Sequence, residues 1–298
     1  MPAGRLARLG ATPDFHHGLL ACASTGGWRK IHAVPKLSVT VITRDEAANL
    51  AAALDSVAWA DEIVVVDSES TDATVDIARR YTSRVIVRPW PGYVAQKNRA
   101  AAEATHDWIL SIDADERVSP ELARDIRELM RHDPTAAGYR LPRVTFHLGR
   151  WIRTTDWYPD YQLRLYDRRR GQWTGKHVHE SVKVDGPVVD LGSHLQHLAY
   201  RDLAHHVQTM DRYSTLAAAE MRESGRAIGW LDLAVHPPAA FLRNYILRGG
   251  FRDGVPGLII SLMNAAYVAM KFAKLWELCS HSTSTPPAPG AADNSKSF

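Results

Sequence analysis

Between Lys36 and Met130 the chain passes four times from a short β-branched apolar run to a longer helix-forming one, and this alternation limits the possible folds more than any other feature. The apolar runs are KLSVTVI (36–42), DEIVVVD (61–67), SRVIVRPW (83–90) and DWILSID (107–113). Each is short, rich in Val and Ile and bounded by polar residues, and so reads as a buried strand. The intervening runs are EAANLAAALDSV (46–57), with Leu50, Leu54 and Val57 on one helical face, DATVDIARRY (72–81) and GYVAQKNRAAAEA (92–104). Ser70 or Asp72 is placed to cap the second of these helices. SPELARDIRELM (119–130) completes the series, with Ser119 as N-cap, Pro120 at the first helical position and Glu121 in the first turn. Four strand–helix units predict an α/β fold, a mostly parallel sheet flanked by helices on both faces.

Ligands in such sheets bind at the carboxyl ends of the strands. Asp67 and Asp113 both fall at those ends. Asp113 also opens the stretch DADE, in which Asp113, Asp115 and Glu116 crowd three carboxylates into four positions. Crowded like charges need a cation between them. Two carboxylates at i and i+2 on a turn can hold Mg²⁺ or Mn²⁺, with phosphate oxygens completing the shell. The plainer reading is a solvated turn whose Asp115 and Glu116 favour the dipole of the helix that follows. After the first strand there is no G-x-G-x-x-G, so a dinucleotide-binding unit is poorly supported.

Residues 35–134 read as a nucleotide-binding half and 135–200 as the second half of the same domain, richer in His, Trp and Arg. Residues 203–232 look helical and partly amphipathic. GVPGLIISLMNAAYVAMKFAKLW (254–276) contains an uncharged run of 17 residues, Gly254 to Met270, interrupted by Pro256, Gly257 and Asn264. That is at the short limit for a bilayer span, and basic residues on both sides (Arg243, Arg248, Arg252; Lys271, Lys274) suit an anionic surface better than a crossing. Residues 1–34 carry no signal-peptide pattern and read as an ill-ordered extension. Residues 280–298 read as a disordered tail, leaving 201–279 as a helical C-terminal region. Two cysteines without metal-type spacing fit a reducing compartment, and a net charge of +3 makes no case for nucleic acid.

The stretches LSVTVITRDEAANL, DEIVVVDSESTDATVDIA, GYVAQKNRA and ILSIDADER resemble the family-two inverting glycosyltransferases with the GT-A fold. Together with YPDYQLRLYDRRRGQWTGKHVHESV and FLRNYILRGGFRDGVPGLIISLMNAAYVAMKFAKLWE, they are most similar to the β-1,4-glucosyltransferases of the lipopolysaccharide inner core. The likeness covers residues 36–278. One departure is Asp45, where the family commonly has Asn. The resemblance implies transfer of a hexose, glucose foremost, from a UDP-sugar to a sugar hydroxyl of a lipid-linked core oligosaccharide, with inversion, at the cytoplasmic face of the inner membrane. It also implies a divalent metal held by Asp115, with His179 as a further ligand. Asp67 would bind the uracil, and Asp113, Lys97 and Arg164 would serve the donor diphosphate. The base for the acceptor hydroxyl is then a carboxylate of the second half: Glu180, with Asp160 and Asp156 as rivals. His177 and His179 share a face in extended chain while Glu180 points the other way, so a turn is needed to gather them. A peptide or polyprenyl-phosphate acceptor, or a catalytically dead nucleotide-binding protein, are the alternatives.

Overall fold

The computed structural model describes residues 34–175 and 180–280. The N-terminal extension, the C-terminal tail beyond Ser280, and both His177 and His179 lie outside the described residues. The first half runs β1 (Leu37–Thr43), α1 (Leu50–Asp55), β2 (Glu62–Asp67), α2 (Thr74–Tyr81), β3 (Val85–Val87), α3 (Tyr93–Glu103) and β4 (Trp108–Asp113). A short β5 (Glu116–Val118) then leads to α4 (Pro120–Arg131). The second half contributes β6 (Gly138–His147), β7 (Arg150–Ile152), β8 (Asp160–Asp167), β9 (Gly171–Thr174), β10 (Ser181–Val184), β11 (Val188–Asp190) and β12 (Leu195–His197).

Strands β3, β2, β1 and β4 lie side by side and parallel. Alternate residues of a strand face opposite sides, and both sides are covered. Val39, Val41, Val65, Leu110 and Ile112 pack with Leu50, Leu54, Ala78, Leu122 and Ile126, from α1, α2 and α4. Ile42, Val64, Val66 and Ile109 pack instead with Ala100 and Ala101 of α3 and with Trp173 of β9. Two covered faces are why these strands read as unbroken apolar runs rather than as alternating ones.

Beyond β4 the direction changes. β8 pairs antiparallel with β4, β6 antiparallel with β8, and β12 parallel with β6 while closing antiparallel on β5. β9 and β10 form a separate two-stranded sheet. The reversal leaves β4 as the strand on which the parallel half meets an antiparallel wall.

Ser119 caps α4 as its sequence predicts, accepting from Leu122 N at 3.1 Å. The cap of α2 differs: Ala73 occupies the N-cap position, Asp72 accepts from Thr74 N at 2.9 Å, and Ser70 is used elsewhere. The acidic turn does not run straight into a helix, because β5 intervenes. The segment 203–232 is two helices, α5 (Leu203–Glu223) and α6 (Trp230–Leu242), separated by a break containing Gly225, which has a φ of +72°. A π-helical segment (Arg243–Leu247) and a 3-10 turn (Gly250–Asp253) turn the corner into α7 (Gly254–Ser280). At that corner Gly257 lies so close to the Gly250 carbonyl that a Cβ would stand 1.9 Å from its oxygen.

Candidate active site

At the end of β4 the Asp113 carboxylate lies between two cations that belong to the protein. Arg164 NH2, from β8, is 2.8 Å from Oδ2, and Lys97 Nζ, from α3, is 3.0 Å from Oδ1. Both cations are almost fully buried, and the ring of Trp173 lies 4.3 Å from Lys97 Nζ. Glu116, wholly buried at the start of β5, accepts from Arg164 at 2.8 Å and from Asp113 N at 2.9 Å. Arg143 of β6 reaches Glu116 at 3.4 Å and Asp160 at 2.6 Å. Burial alone would push the Asp113 carboxyl up, but Arg164 and Lys97 outweigh it and hold the group well below the usual carboxylate range. Burial would likewise pull Arg164 down, yet Asp113 and Glu116 hold it above its ordinary value.

Asp115 is different. Its charged partner is a histidine: His197 Nε2 is 3.4 Å from Oδ2, and the Asp115 carbonyl ties down Leu198 N at 2.9 Å. Burial pushes its carboxyl up, and the hydrogen bond and charge of His197 bring it below the ordinary value. So the answer to the crowding of acids is divided. Asp113 and Glu116 are neutralised internally by permanent cations, and Asp115 keeps a partly exposed carboxylate whose only ion-pair partner among the described residues can be neutral.

That arrangement decides what kind of metal fits. No cluster of three or more His, Cys, Asp or Glu side chains able to cage an ion exists among the described residues. Mg²⁺ and similar ions are commonly bound through one or two carboxylates plus substrate phosphates and waters. Asp115 fits such an ion, brought in with a diphosphate. The expected third ligand, His179, lies outside the described residues.

The remaining candidates separate by their partners. Glu180 precedes β10, with Oε1 at 3.3 Å from Lys97 Nζ and Oε2 buried without a hydrogen bond to any described residue. Asp160 is occupied: Arg143 holds Oδ2 and Gln162 donates to Oδ1 at 2.6 Å. Asp156 is paired with Arg243 and with Arg248. Of the three acids weighed as base, Glu180 alone retains an uncommitted oxygen.

Asp67, expected to meet a ligand directly, is fully buried, with both carboxylate oxygens accepting from Ser70. Ser70 Oγ in turn accepts from Asp45 N at 2.8 Å, and Asp45 Oδ1 accepts from Thr71 N at 2.7 Å. The loops after β1 and β2 are thus locked together. Asp45 sits at φ +52°, a left-handed conformation that Asn and Asp tolerate better than other residues, so the backbone accepts Asp here as readily as the Asn that the family resemblance leads one to expect.

The family model described as Glycosyl transferase family 2 matches residues 38–183. The lipopolysaccharide core biosynthesis glycosyltransferase LpsC of Rhizobium meliloti is 32% identical over 254 residues, covering 82% of this chain and 94% of that protein. The chain belongs to glycosyl transferase family 2. A further relative, the uncharacterized glycosyltransferase RT0209 of Rickettsia typhi, is 31% identical, over 82% of this chain and 87% of its own. Among solved structures, the mannosyltransferase PcManGT of Pyrobaculum calidifontis, in complex with GDP-Man and Mn²⁺, superposes with a TM-score of 0.48 at 17% identity, over 82% of this chain and 88% of that one.

In this glycosyltransferase the structure brings the expected Lys97, Asp113 and Arg164 together beside Asp115, and adds three neighbours that the sequence does not single out, Arg143, His197 and Trp173. Glu116, one of the crowded acids of the turn, is a buried anchor for Arg164 rather than a solvated acid favouring the helix dipole. Arg143, His197 and Trp173 come from strands far along the chain. Their one sequence signal is the enrichment in Arg, His and Trp after residue 138.

Proposed function

We propose that this glycosyltransferase moves a hexose, glucose foremost, from a UDP-sugar to a sugar hydroxyl of the lipopolysaccharide inner core, with inversion. The observation that carries the reading is the division of labour at the β4 turn. Asp113 is fixed by Lys97 and Arg164, leaving Asp115 poised for an arriving charge. The likeness to LpsC, a core biosynthesis transferase, supports the acceptor class.

In this reading a divalent cation held at Asp115, beside Asp113, supplies charge neutralisation to the departing diphosphate. Lys97 and Arg164 serve the diphosphate side by offsetting the charge of Asp113 and Glu116. Glu180 takes the proton from the acceptor hydroxyl. That oxygen then bonds to the anomeric carbon from the face opposite the nucleotide, the bond from that carbon to the diphosphate oxygen breaks, and the configuration inverts. Asp67 contributes to uridine recognition through the Asp67–Ser70–Asp45 lock that shapes the adjoining loops.

We place the protein peripherally at the cytoplasmic face of the inner membrane, where a lipid-linked acceptor resides. The helical stretch Gly250–Ser280 is long and apolar enough to cross a bilayer by length and composition, and arginines precede it. The test is mass analysis of core oligosaccharide from a strain lacking this protein, paired with assay of purified protein on that truncated core. A core short of one hexose, restored with a β-linkage from a UDP-α-sugar, is the expected result. An unchanged core overturns the acceptor assignment, and absence of transfer from any UDP-sugar overturns the donor.

A further inference from the structure

The C-terminal helices carry a surface that the transfer chemistry leaves unused. Helix α6 has the sequence WLDLAVHPPAAFL, and none of its residues is buried. Leu231, Val235, Pro238 and Leu242 recur at three- to four-residue spacing and form one outward stripe. The corner beyond extends it: Leu247 is 80% exposed, and Ile246, Phe251 and Val255 are exposed as well. Isolated exposed apolar residues are ordinary, but a contiguous set on one helix and its following corner marks a contact surface.

Between α6, α7 and the break that follows α5 lies a cavity of about 340 Å³. Arg226, Arg243 and Lys271 converge on it, against a lining of Ala239, Val268 and Phe272. Arg226 is 3.4 Å from Asp232 and Arg243 pairs with Asp156, while Lys271 has no ion pair among the described residues. Burial, and then the charge of Arg226, pull Lys271 below the ordinary lysine value, a repulsion that an anion in the cavity would relieve. Arg248 and Arg252 add further exposed positive charge at the same corner.

We propose that this corner is a headgroup site for anionic phospholipid, with the α6 stripe and Leu247 entering the acyl boundary and Arg226, Arg243 and Lys271 receiving the phosphate. The inference rests on the membrane association proposed above and identifies the surface that makes it: α6, the corner and the first residues of α7 rather than the body of α7, whose Ile260, Phe272 and Leu275 are buried within the protein. Charge complementarity selects the occupant. A second copy docking on a two-fold axis would bring this patch against itself, cations facing cations. A bilayer with anionic headgroups offers an apolar layer and fixed negative charge at the depths where the stripe and the cavity stand.

The test uses the full chain in vesicle flotation, with phosphatidylcholine alone and with equimolar phosphatidylglycerol and phosphatidylcholine. Wild type floats with the mixed vesicles and weakly with phosphatidylcholine. Leu242→Asp/Leu247→Asp lowers vesicle affinity at least about tenfold, since each carboxylate must be desolvated to enter. Arg226→Ser/Lys271→Ser lowers affinity for mixed vesicles about fivefold per cation and narrows the preference for them correspondingly. Both variants keep wild-type turnover on a delipidated, water-soluble core acceptor, which shows them folded and separates this inference from the transfer reading. Vesicle binding by both variants equal to wild type overturns the headgroup site while leaving membrane association standing. No vesicle binding by wild type overturns both, without touching transfer to the soluble acceptor. Sedimentation showing a dimer that the Leu242→Asp/Leu247→Asp variant dissociates assigns the surface to a second copy and overturns the proposal.

Discussion

The β4 turn and the α6 corner both concentrate charge, and they treat it in opposite ways. At the turn, Arg164, Lys97 and Arg143 are matched by Asp113, Glu116, Glu180 and Asp160, and Arg164 and Lys97 are nearly sealed from water. At the corner, cations outnumber their carboxylates and stand among exposed apolar side chains. The difference separates a preorganised site from a surface that needs a partner. The turn has met its desolvation cost during folding, so it can stabilise developing charge without rearranging. The corner keeps its apolar area in water until something covers it.

The sharpest break in this comparison comes from Asp115, the one carboxylate of the turn without a permanent cation. Asp115→Ala should abolish transfer, and excess chelator should do the same to wild type, with the unfolding midpoint of the variant close to wild type. Full turnover in chelator would leave Asp115 without a metal to hold. Arg164 makes the contrasting case, because its loss strikes folding. Arg164→Met leaves Asp113 and Glu116 buried against reduced positive charge and should cost about 3–5 kcal/mol in urea unfolding. A change below about 1 kcal/mol would mean that Lys97 and Arg143 suffice.

The same ion pairs set a pH dependence. The folded-state Asp113 carboxyl is depressed, so its contribution to stability is fully present above the ordinary carboxylate value, about 3.9, and is lost as the pH falls below it. Stability measured from pH 6 down to pH 3 should therefore fall more steeply for wild type than for Arg164→Met. Parallel curves would show that the pairs do not carry the acid sensitivity.

Glu180 sharpens the functional side. Glu180→Gln keeps the size but cannot take a proton, so turnover should fall by at least about 10²-fold with near-normal UDP-sugar affinity. Asp160→Asn, run beside it, should act mainly through Arg143. A loss of turnover with Asp160→Asn and not with Glu180→Gln would exchange their roles.

How much of this was legible follows from the reach of each signal. Strands β1, β2 and β4 begin and end within about a residue of the apolar runs, because Val and Ile runs report burial on both faces locally. The N-cap at Ser119 was equally local. The partners of Asp113 were not: Arg164 lies 51 residues away and reaches Asp113 only because β8 runs antiparallel to β4. Periodicity carries no record of such pairing. The partners of Glu116 escape the sequence for a related reason, since its carboxylate is explained by Arg164 and Arg143, both distant in the chain, rather than by the helix after it. For α6 the composition registered a helix but not which of its faces stays in water.

The smallest expected effect tests the corner on its own terms. Trp230 is 75% exposed and Leu247 is 80% exposed. Truncating side chains that fold without losing contact with water removes little transfer energy, so Trp230→Ser and Leu247→Ser should each shift stability by no more than about 0.5 kcal/mol. Leu110, fully buried between the layers, provides the scale: Leu110→Ala should cost about 2–5 kcal/mol. Urea unfolding of the three variants, at protein concentrations differing tenfold, is the measurement. A loss above about 2 kcal/mol for Leu247→Ser would mean that the corner is already covered in solution. Dependence of that loss on protein concentration would identify the cover as another copy, since only an association shifts stability by mass action. Independence from concentration would identify a segment of the same chain. A near-zero effect, beside a large one for Leu110→Ala, leaves the apolar corner uncovered in water and free for a bilayer.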